Sequence, residues 1–280
     1  METRPAAWAS RNQEPTWSKC VAPEHRPSIQ GWASEQQLLR DMDDAGIETV
    51  ILLGWYWENI ENSKLQNCFY ADLIKKHPTR LKAFASVQAS AGKDALTEID
   101  WALDNGFIGI GEIHPQAQGF SLGDPIWHQV MEHLAGKNCP INFHVTDPDS
   151  RSHPGKIETP LADYIKLAHE YPNQTVILAH LGARIPLRKD ELELSEFPGN
   201  LYFDCAAAPL LYKRCVIQEM VGAVGSERIL FGSDYPLRVF PKAQKLPEFT
   251  QSIQFVKESG LTEDELRCVL STNAKRLFSA

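Results

Sequence analysis

A chain of 280 residues is long enough for two domains of roughly 150 residues, or for one α/β barrel of roughly 250. It carries 28 Lys and Arg against 36 Asp and Glu, and the net charge of −8 argues against a general binder of nucleic acid or of anionic membranes. A hydrophobic content of 43% excludes disorder for most of the chain. No apolar run reaches the roughly 18 residues that a membrane span requires.

The start of the chain has no apolar stretch behind a basic residue, so we expect no secretory signal. Six cysteines are spread along the sequence without a CxxC pair. In a chain of this size, that pattern predicts reduced, mostly buried thiols in place of disulfides or a cysteine metal site. We therefore expect a cytoplasmic protein.

Residues 1–32 hold four prolines, three tryptophans and little periodicity, which predicts an irregular segment. Ser34 and Gln37 then resemble a capping box, and they predict a helix that ends near Gly46. Apolar runs alternate with helical periodicity from there on. The predicted order is strand 49–53, helix 65–77, strand 81–87, helix 95–104, strand 107–113, helix 127–135, strand 140–145, helix 161–170, strand 175–180, strand 201–205, helix 216–224, strand 228–232, helix 247–259 and helix 263–278.

The predicted strands are short and apolar on both faces, as in a parallel sheet that helices cover. Repeated strand–helix units over about 230 residues predict an α/β fold. We count seven strands after residue 45, whereas a (β/α)8 TIM barrel has eight. A doubly wound open sheet is the structural alternative, but the chain contains neither GxGxxG nor GxxxxGK[ST], the motifs of dinucleotide and P-loop sites.

Four ionisable residues follow the ends of apolar strands, where a barrel carries its active site. They are Glu112, His144, His180 and Asp234. Two imidazoles and two carboxylates suit Zn, Mn or Fe, and such a metal activates bound water and polarises a carbonyl. Asp234 would take the proton from that water. Each residue alone has a structural interpretation, since a strand-end His or Asp commonly caps a neighbouring element. The ordered set of four favours a metal site.

Further polar and aromatic residues follow the same strand ends. The candidate substrate-binding residues are Trp55, Trp57, His114, Arg184 and Arg238. The tryptophans would stack a planar substrate, and an arginine fork suits a carboxylate. The alternative for the tryptophans is packing at the rim of the barrel. The alternative for the arginines is exposure on a loop. Asp147 lies in the loop after His144, which we interpret as a lid.

Two segments are similar to motifs of the amidohydrolase superfamily: Ile-Leu-Ala-His-Leu-Gly at 177–182 and Ile-Leu-Phe-Gly-Ser-Asp-Tyr-Pro at 229–236. The closest branch is the amidohydrolase-2 group of metal-dependent TIM-barrel hydrolases and decarboxylases. The segments at 77–81 and 261–266 and the Asn-Ala pair at 273–274 also resemble that group. The resemblance covers about residues 34–278, and it predicts a TIM barrel over 33–280 with residues 1–32 packed on it.

The resemblance implies roles for the four strand-end residues. His144 and Asp234 would be the metal ligands of the fifth and eighth strands. His180 would orient or polarise the substrate, or bind a second metal. Glu112 stands where some members, such as the TatD-like deoxyribonucleases, place a carboxylate that bridges two metals; the alternative is that Glu112 pairs with a basic residue of the barrel.

The family's first strand ends in H-x-H, and this chain contains no H-x-H. Three explanations stay open: the chain starts at an internal Met, the first strand has been lost, or residues 1–12 form a degenerate strand without ligands. A barrel that lacks a strand exposes two sheet edges, so we also expect a homo-oligomer.

The sequence therefore predicts a metal-dependent hydrolase acting on an amide, ester or lactone of a small, carboxylate-bearing molecule. Non-oxidative decarboxylation within the same superfamily is one alternative. A non-catalytic barrel that has lost its metal site is the other. The expected cofactor is a divalent metal, zinc first, with manganese, iron or magnesium as alternatives. We expect a small-molecule substrate and neither nucleic acid nor membrane as a partner.

Overall fold

The computed structural model describes residues 13–21, 23, 27–153, 155–194 and 196–278. The elements, in chain order, are α1 (Pro15–Val21), α2 (Glu35–Asp44), β1 (Val50–Leu52), α3 (Ile60–Lys76), β2 (Leu81–Ala83), α4 (Lys93–Asp104), β3 (Ile110–Ile113), α5 (Pro125–Leu134), β4 (Ile141–Phe143), α6 (Leu161–Glu170), β5 (Val176–Leu178), β6 (Leu201–Asp204), α7 (Ala208–Leu211), α8 (Val216–Val224), β7 (Ile229–Leu230), α9 (Thr250–Lys257), α10 (Glu263–Arg267) and α11 (Asn273–Phe278).

The strands keep the order of the chain. β1 and β2 form one sheet, and β3 to β7 follow one another in a second. The β1–β2, β3–β4 and β6–β7 pairs are parallel. A parallel sheet in chain order winds in one direction, as in a TIM barrel, whereas a doubly wound sheet reverses its order at a switch point. The TIM-barrel α/β class is therefore confirmed, and the doubly wound alternative is wrong. The eighth strand of a complete barrel is not among the described residues.

The chain divides into two compact units. The first comprises the described residues of Met1–Ser28, Thr49–His144 and Arg151–Val176. The second comprises the described residues of Ile29–Glu48, Val145–Ser150 and Ile177–Ala280. Each unit has its own parallel strand pairs and its own covering helices, and each is described separately below.

The core of the first unit lies between its strands and helices. Ala85 forms a parallel bridge with Ile110, which connects the end of β2 to β3. The ring centroids of Trp127 on α5 and Tyr164 on α6 lie 5.5 and 5.2 Å from that of Phe143 on β4. All three rings are fully buried. The apolar strand therefore lies under two helices, as a parallel sheet requires.

The second unit is built around β6 and β7, where Phe203 lies opposite Ile229. Helix α8 turns Ile217 and Met220 inward, and both side chains are fully buried. Ser34 caps α2 by accepting a hydrogen bond from the backbone N–H of Gln37, as the capping pattern predicts.

The predicted helices differ from the observed ones at their ends. Helix α3 begins at Ile60, five residues before the predicted start, because the Asn59 side chain caps it by accepting from the Glu61 backbone N–H. Pro247 does not begin α9, which starts at Thr250. The predicted helix 263–278 is interrupted by a π-helical turn at Cys268–Thr272.

Two segments depart from the expected irregular structure. Pro15–Val21, within the N-terminal segment, forms a helix whose Pro15 occupies the first position. Residues 208–211 form a short helix as well. Residues 1–12, which one explanation assigned to a degenerate strand, lie outside the described residues.

The six cysteines are free. Burial raises the pKa of Cys139 and of Cys205 to about 12, so both side chains remain thiols near neutral pH. Among the described residues, no helix combines the length and the apolar character that a membrane crossing requires.

Candidate active site

Glu112 and His144 stand at the ends of two neighbouring parallel strands of the first unit. Ile113 of β3 registers with Phe143 of β4, and the His144 N–H donates to the Ile113 carbonyl at 2.8 Å. This pairing places Nδ1 of His144 3.1 Å from Oε1 of Glu112. The two side chains are 21% and 18% exposed, so a small ligand can reach a pair that the sheet holds in place.

Backbone bonds to the segment after β1 hold Glu112 as well. The Glu112 N–H donates to the Gly54 carbonyl at 3.0 Å, and the Gly54 N–H donates to the Gly111 carbonyl at 3.2 Å. Gly111 has a φ of +146°, and a Cβ there would lie 2.7 Å from the Asn142 carbonyl oxygen. Glycine is therefore required directly before Glu112, because any side chain would push the two strands apart.

Two rings lie against this pair. The imidazole of His114 stacks on that of His144, with centroids 4.9 Å apart and planes 14° apart. The Tyr56 ring lies 5.1 Å from each imidazole. His114 and Tyr56 are 1% and 3% exposed, so their rings are buried against His144 and have little surface free for a ligand. Their packing fixes the orientation of the His144 imidazole.

Tyr56 is the residue that sequence reasoning missed here. The prediction chose its neighbours Trp55 and Trp57. Trp57 is 7% exposed, packs against Trp17 at 5.7 Å, and donates its indole N–H to Gln66. Trp55 stacks on Tyr56 at 4.2 Å. The Trp57 N–H donates to the Trp55 carbonyl at 2.9 Å, so the three aromatic residues lie in a tight turn. In this turn Trp57 packs on Trp17, and Tyr56 packs on His114 and His144.

Gln118 is a second residue that the prediction missed. Its side-chain amide donates to the carbonyls of Trp57 at 3.1 Å and Val87 at 2.8 Å. Its side-chain oxygen accepts from the His114 N–H at 3.1 Å. The buried amide therefore connects the segments that follow β1, β2 and β3. Nothing local in the sequence marks it, because its partners lie up to 61 positions away.

His180 begins the segment after β5 in the second unit. It is 8% exposed, and its Nδ1 lies 3.0 Å from the Ala206 carbonyl oxygen. A carbonyl can only accept, so Nδ1 carries the proton and Nε2 carries the lone pair of the neutral ring. Metal-binding histidines commonly have this arrangement, in which a backbone carbonyl fixes the tautomer.

Asp234 follows β7 in the second unit. It is exposed, has a φ of 59°, and its carbonyl accepts from the Leu237 N–H at 2.7 Å. The next residue, Tyr235, donates its hydroxyl to Asp41 at 2.6 Å and stacks on Phe249. The turn that carries Asp234 is therefore anchored by its neighbour.

The two predicted arginines are both half-buried residues of the second unit. Arg184 forms ion pairs with Asp147 and Asp149, both at 2.9 Å. Arg238 contacts the Ile29 carbonyl through Nε at 3.5 Å. The guanidinium of Arg184 is thus already paired with carboxylates of this chain. Asp147, expected in a lid, is the buried partner of that pair.

The donor atoms fit a divalent metal. Glu112 offers a carboxylate oxygen and His144 an imidazole nitrogen, and these two atoms lie 3.1 Å apart. Carboxylate oxygen with imidazole nitrogen suits Zn, Mn or Fe. Among the described residues, the first unit supplies this pair of donors, and His180 of the second unit has the ring orientation of a ligand.

A family model described as "Amidohydrolase" matches residues 2–280. No curated protein matches the chain in sequence. Solved structures match its fold, and three are described here. The 2,6-dihydroxybenzoate decarboxylase from Rhizobium is 20% identical, with 88% of each chain covered and a TM-score of 0.69.

The 5-carboxyvanillate decarboxylase from Novosphingobium aromaticivorans, complexed with manganese and 4-hydroxy-3-methoxy-5-nitrobenzoic acid, is 15% identical. The match covers 98% of this chain and 91% of that one, with a TM-score of 0.72. The dihydroxybenzoic acid decarboxylase from Polaromonas, with manganese and the inhibitor 2-nitroresorcinol, is 18% identical over 99% and 94%, with a TM-score of 0.69. At these identities the likeness establishes the fold alone.

Proposed function

The chain belongs to the amidohydrolase family, and from this premise we propose that it catalyses the metal-dependent, non-oxidative decarboxylation of a small aromatic carboxylic acid. This revises the order of the sequence predictions, in which a hydrolase came first and a decarboxylase second. The structural neighbours named above are decarboxylases of hydroxylated or methoxylated benzoic acids. Their names support the class of reaction proposed for this chain.

The observation that carries the proposal is the Glu112–His144 pair at two neighbouring strand ends, with side chains 18% and 21% exposed. The buried rings of His114 and Tyr56 pack against His144 and fix its imidazole. A carboxylate and an imidazole held in this way suit a divalent metal, and a metal bound there would attract the carboxylate of the acid.

We propose Glu112 and His144 as metal ligands, on the geometry of the first unit. For His180 and Asp234 the family motif is the basis of the proposal, with His180 as a ligand and Asp234 as a ligand or proton carrier. A metal bound there would supply positive charge that binds and orients the oxygens of the substrate. Manganese is the first metal to test because two of the neighbours hold it, and zinc is the second.

The chain's own residues then have defined tasks. Decarboxylation breaks the bond between the ring carbon and the carboxyl carbon, leaves the electron pair on the ring, and releases CO2. A proton then takes the place of the carboxyl group. We assign its delivery to Asp234, an exposed carboxyl at a strand end, which water can reprotonate. His114 and Tyr56 hold the His144 imidazole in place by packing against it, and Arg238 is our candidate for the substrate carboxylate.

The test begins with chelator-treated protein reloaded with Mn or Zn. CO2 release is measured from 2,3- and 2,6-dihydroxybenzoate, and hydrolysis is measured on a panel of lactones. We expect CO2 release that requires the metal. His144→Asn should lower both metal affinity and kcat by about 10- to 100-fold or more, as loss of a metal-site residue does.

His128→Asn is the matched control, since His128 lies on α5 with its Nδ1 2.7 Å from the Tyr171 hydroxyl. It should behave as the unmodified protein. Lactone hydrolysis without CO2 release would replace the proposal with the hydrolase that the family name favours. CO2 release that His144→Asn leaves unchanged would refute the assignment of the site.

A further inference from the structure

The segment that carries His180 has an unusual backbone. Five consecutive residues, His180–Arg184, have φ between 51° and 61°. They form one turn of left-handed helix, and only Gly182 among them lacks a Cβ. Left-handed backbone is unfavourable for residues with a Cβ, so a turn of this kind persists only where surrounding bonds hold it.

Asp147 supplies the centre of those bonds. Its side chain is 1% exposed and accepts from Nε of Arg184 at 2.9 Å and from a terminal nitrogen of Arg188 at 3.0 Å. Arg188 in turn donates from Nε to the Ala183 carbonyl at 3.0 Å. The buried Asp147 carboxylate thus holds Arg184, the last residue of the turn, directly. It holds Ala183 indirectly, because it binds Arg188, which bonds to the Ala183 carbonyl.

The start of the turn is held by two further contacts. The Tyr212 hydroxyl donates to the His180 carbonyl at 3.1 Å, and the His180 N–H donates to Asp204 at 3.3 Å. The guanidinium of Arg184 lies 5.1 Å from the centre of the Tyr212 ring. Burial and then the charge of Asp147 raise the pKa of Tyr212, which keeps its hydroxyl a donor.

We propose that Asp147 is a positioning residue that holds the left-handed turn through Arg184 and Arg188 and thereby sets the backbone of His180. The importance of His180 rests on the proposed function. The inference also moves Arg184 from the substrate carboxylate to the turn, since its fork is occupied by Asp147 and Asp149.

Asp149 contacts the same arginines but is not the centre of the turn. Its side chain is 67% exposed, so water and salt screen its charge. Removing the Asp147 carboxylate leaves two partly buried guanidinium groups without their shielded partner, which is far more disruptive. The two aspartates therefore form a matched pair that separates a buried role from a surface role.

The experiment compares Asp147→Asn with Asp149→Asn, and with Asp264→Asn, which alters an exposed ion pair on α10. Hydrogen–deuterium exchange is followed in peptides covering 180–188, and manganese affinity is measured by competition with a chelator. In Asp147→Asn we expect faster exchange in 180–188 and metal affinity and kcat lowered by about 10- to 100-fold, with KM little changed. The other two variants should show neither effect.

Ala183→Gly provides a rescue, because glycine adopts a positive φ without strain. Added to Asp147→Asn, it should restore part of the protection in 180–188 and part of the metal affinity. A purely structural loss elsewhere in the protein would not respond to glycine at this position.

Unchanged exchange at 180–188 in Asp147→Asn would overturn the inference, as would the absence of any rescue by Ala183→Gly. Faster exchange with unaltered metal affinity and kcat would overturn the link to His180. If the unmodified protein binds no metal and releases no CO2, the proposed function fails on its own. Exchange and its rescue by glycine then still decide whether Asp147 holds the turn.

Discussion

Replacing Gln118 by methionine removes the amide that connects three strand-end segments and keeps the length of the side chain. The amide makes three hydrogen bonds, two donated to carbonyls and one accepted from the His114 N–H. Each lost bond costs about 1 kcal/mol net, and a buried N–H left without an acceptor costs about 1–3 kcal/mol. The two donated bonds then account for about 2 kcal/mol and the unsatisfied His114 N–H for about 1–3 kcal/mol, so we expect Gln118→Met to lower the free energy of unfolding by about 3–5 kcal/mol.

In a chain of this length, about 2 °C of Tm accompanies each kcal/mol, so the expected decrease in Tm is about 6–10 °C. Thermal unfolding followed by tryptophan fluorescence measures it, and Trp57, whose carbonyl the amide contacts, lies beside the change. Urea unfolding gives the free energy independently.

Gln116→Met is the matched control. Gln116 lies two positions earlier, and its buried side-chain oxygen has no hydrogen-bond partner among the described residues. It should alter Tm by less than about 2 °C, since no bond to that oxygen is lost. Equal effects of the two substitutions would refute the reasoning, because a generic loss of polar surface would then explain both.

Three further outcomes follow from the same geometry. Trp17→Ala should lower the free energy of unfolding by about 3 kcal/mol by emptying the tryptophan cluster, whereas Trp32→Ala, at 55% exposed, should change it by less than about 0.5 kcal/mol; urea unfolding compares them. Burial raises the pKa of Glu98 above 4.5, against the opposing hydrogen bond from Asn67. The folded state then binds the proton more tightly, so the contribution of Glu98 to stability is full below pH 4.5 and falls as the pH rises through the raised pKa; Glu98→Gln should flatten that slope in urea unfolding. Manganese at about 100 times its Kd should add about 2.7 kcal/mol of stability by calorimetry, and Glu112→Gln should remove that gain.

The strand order could be predicted because the apolar runs are long and the connections between them are regular. Seven runs predicted seven strands, and all seven occur in the described residues. The ends of helices were less predictable. The Asn59 cap starts α3 at Ile60, before the apolar periodicity begins. Helix α9 starts at Thr250, three residues after Pro247. Local capping and tertiary packing decide those ends, and periodicity does not record them.

The residues of the site divide in the same way. Glu112 and His144 are predictable because each follows an apolar run, and parallel strands bring their carboxyl ends to one edge. Tyr56 is not, because the tight turn at 55–57 and the packing of Trp57 on Trp17 decide which of the three consecutive aromatic residues contacts His144. The role of Arg184 is not predictable either. The sequence around an arginine that follows a strand is the same whether its side chain binds a substrate or an aspartate of the chain.

The sequence by itself determined the α/β class, the family and the strand ends that carry ionisable groups, because these depend on periodicity and motifs within a few residues. Only the tertiary structure decided which groups meet. Glu112 contacts His144 across 32 positions, and Asp147 contacts Arg184 across 37. Contacts between residues so far apart in sequence depend on the register of the strands and on the course of the loops across the strand ends. The packing of the whole chain sets both, and no local sequence pattern encodes them.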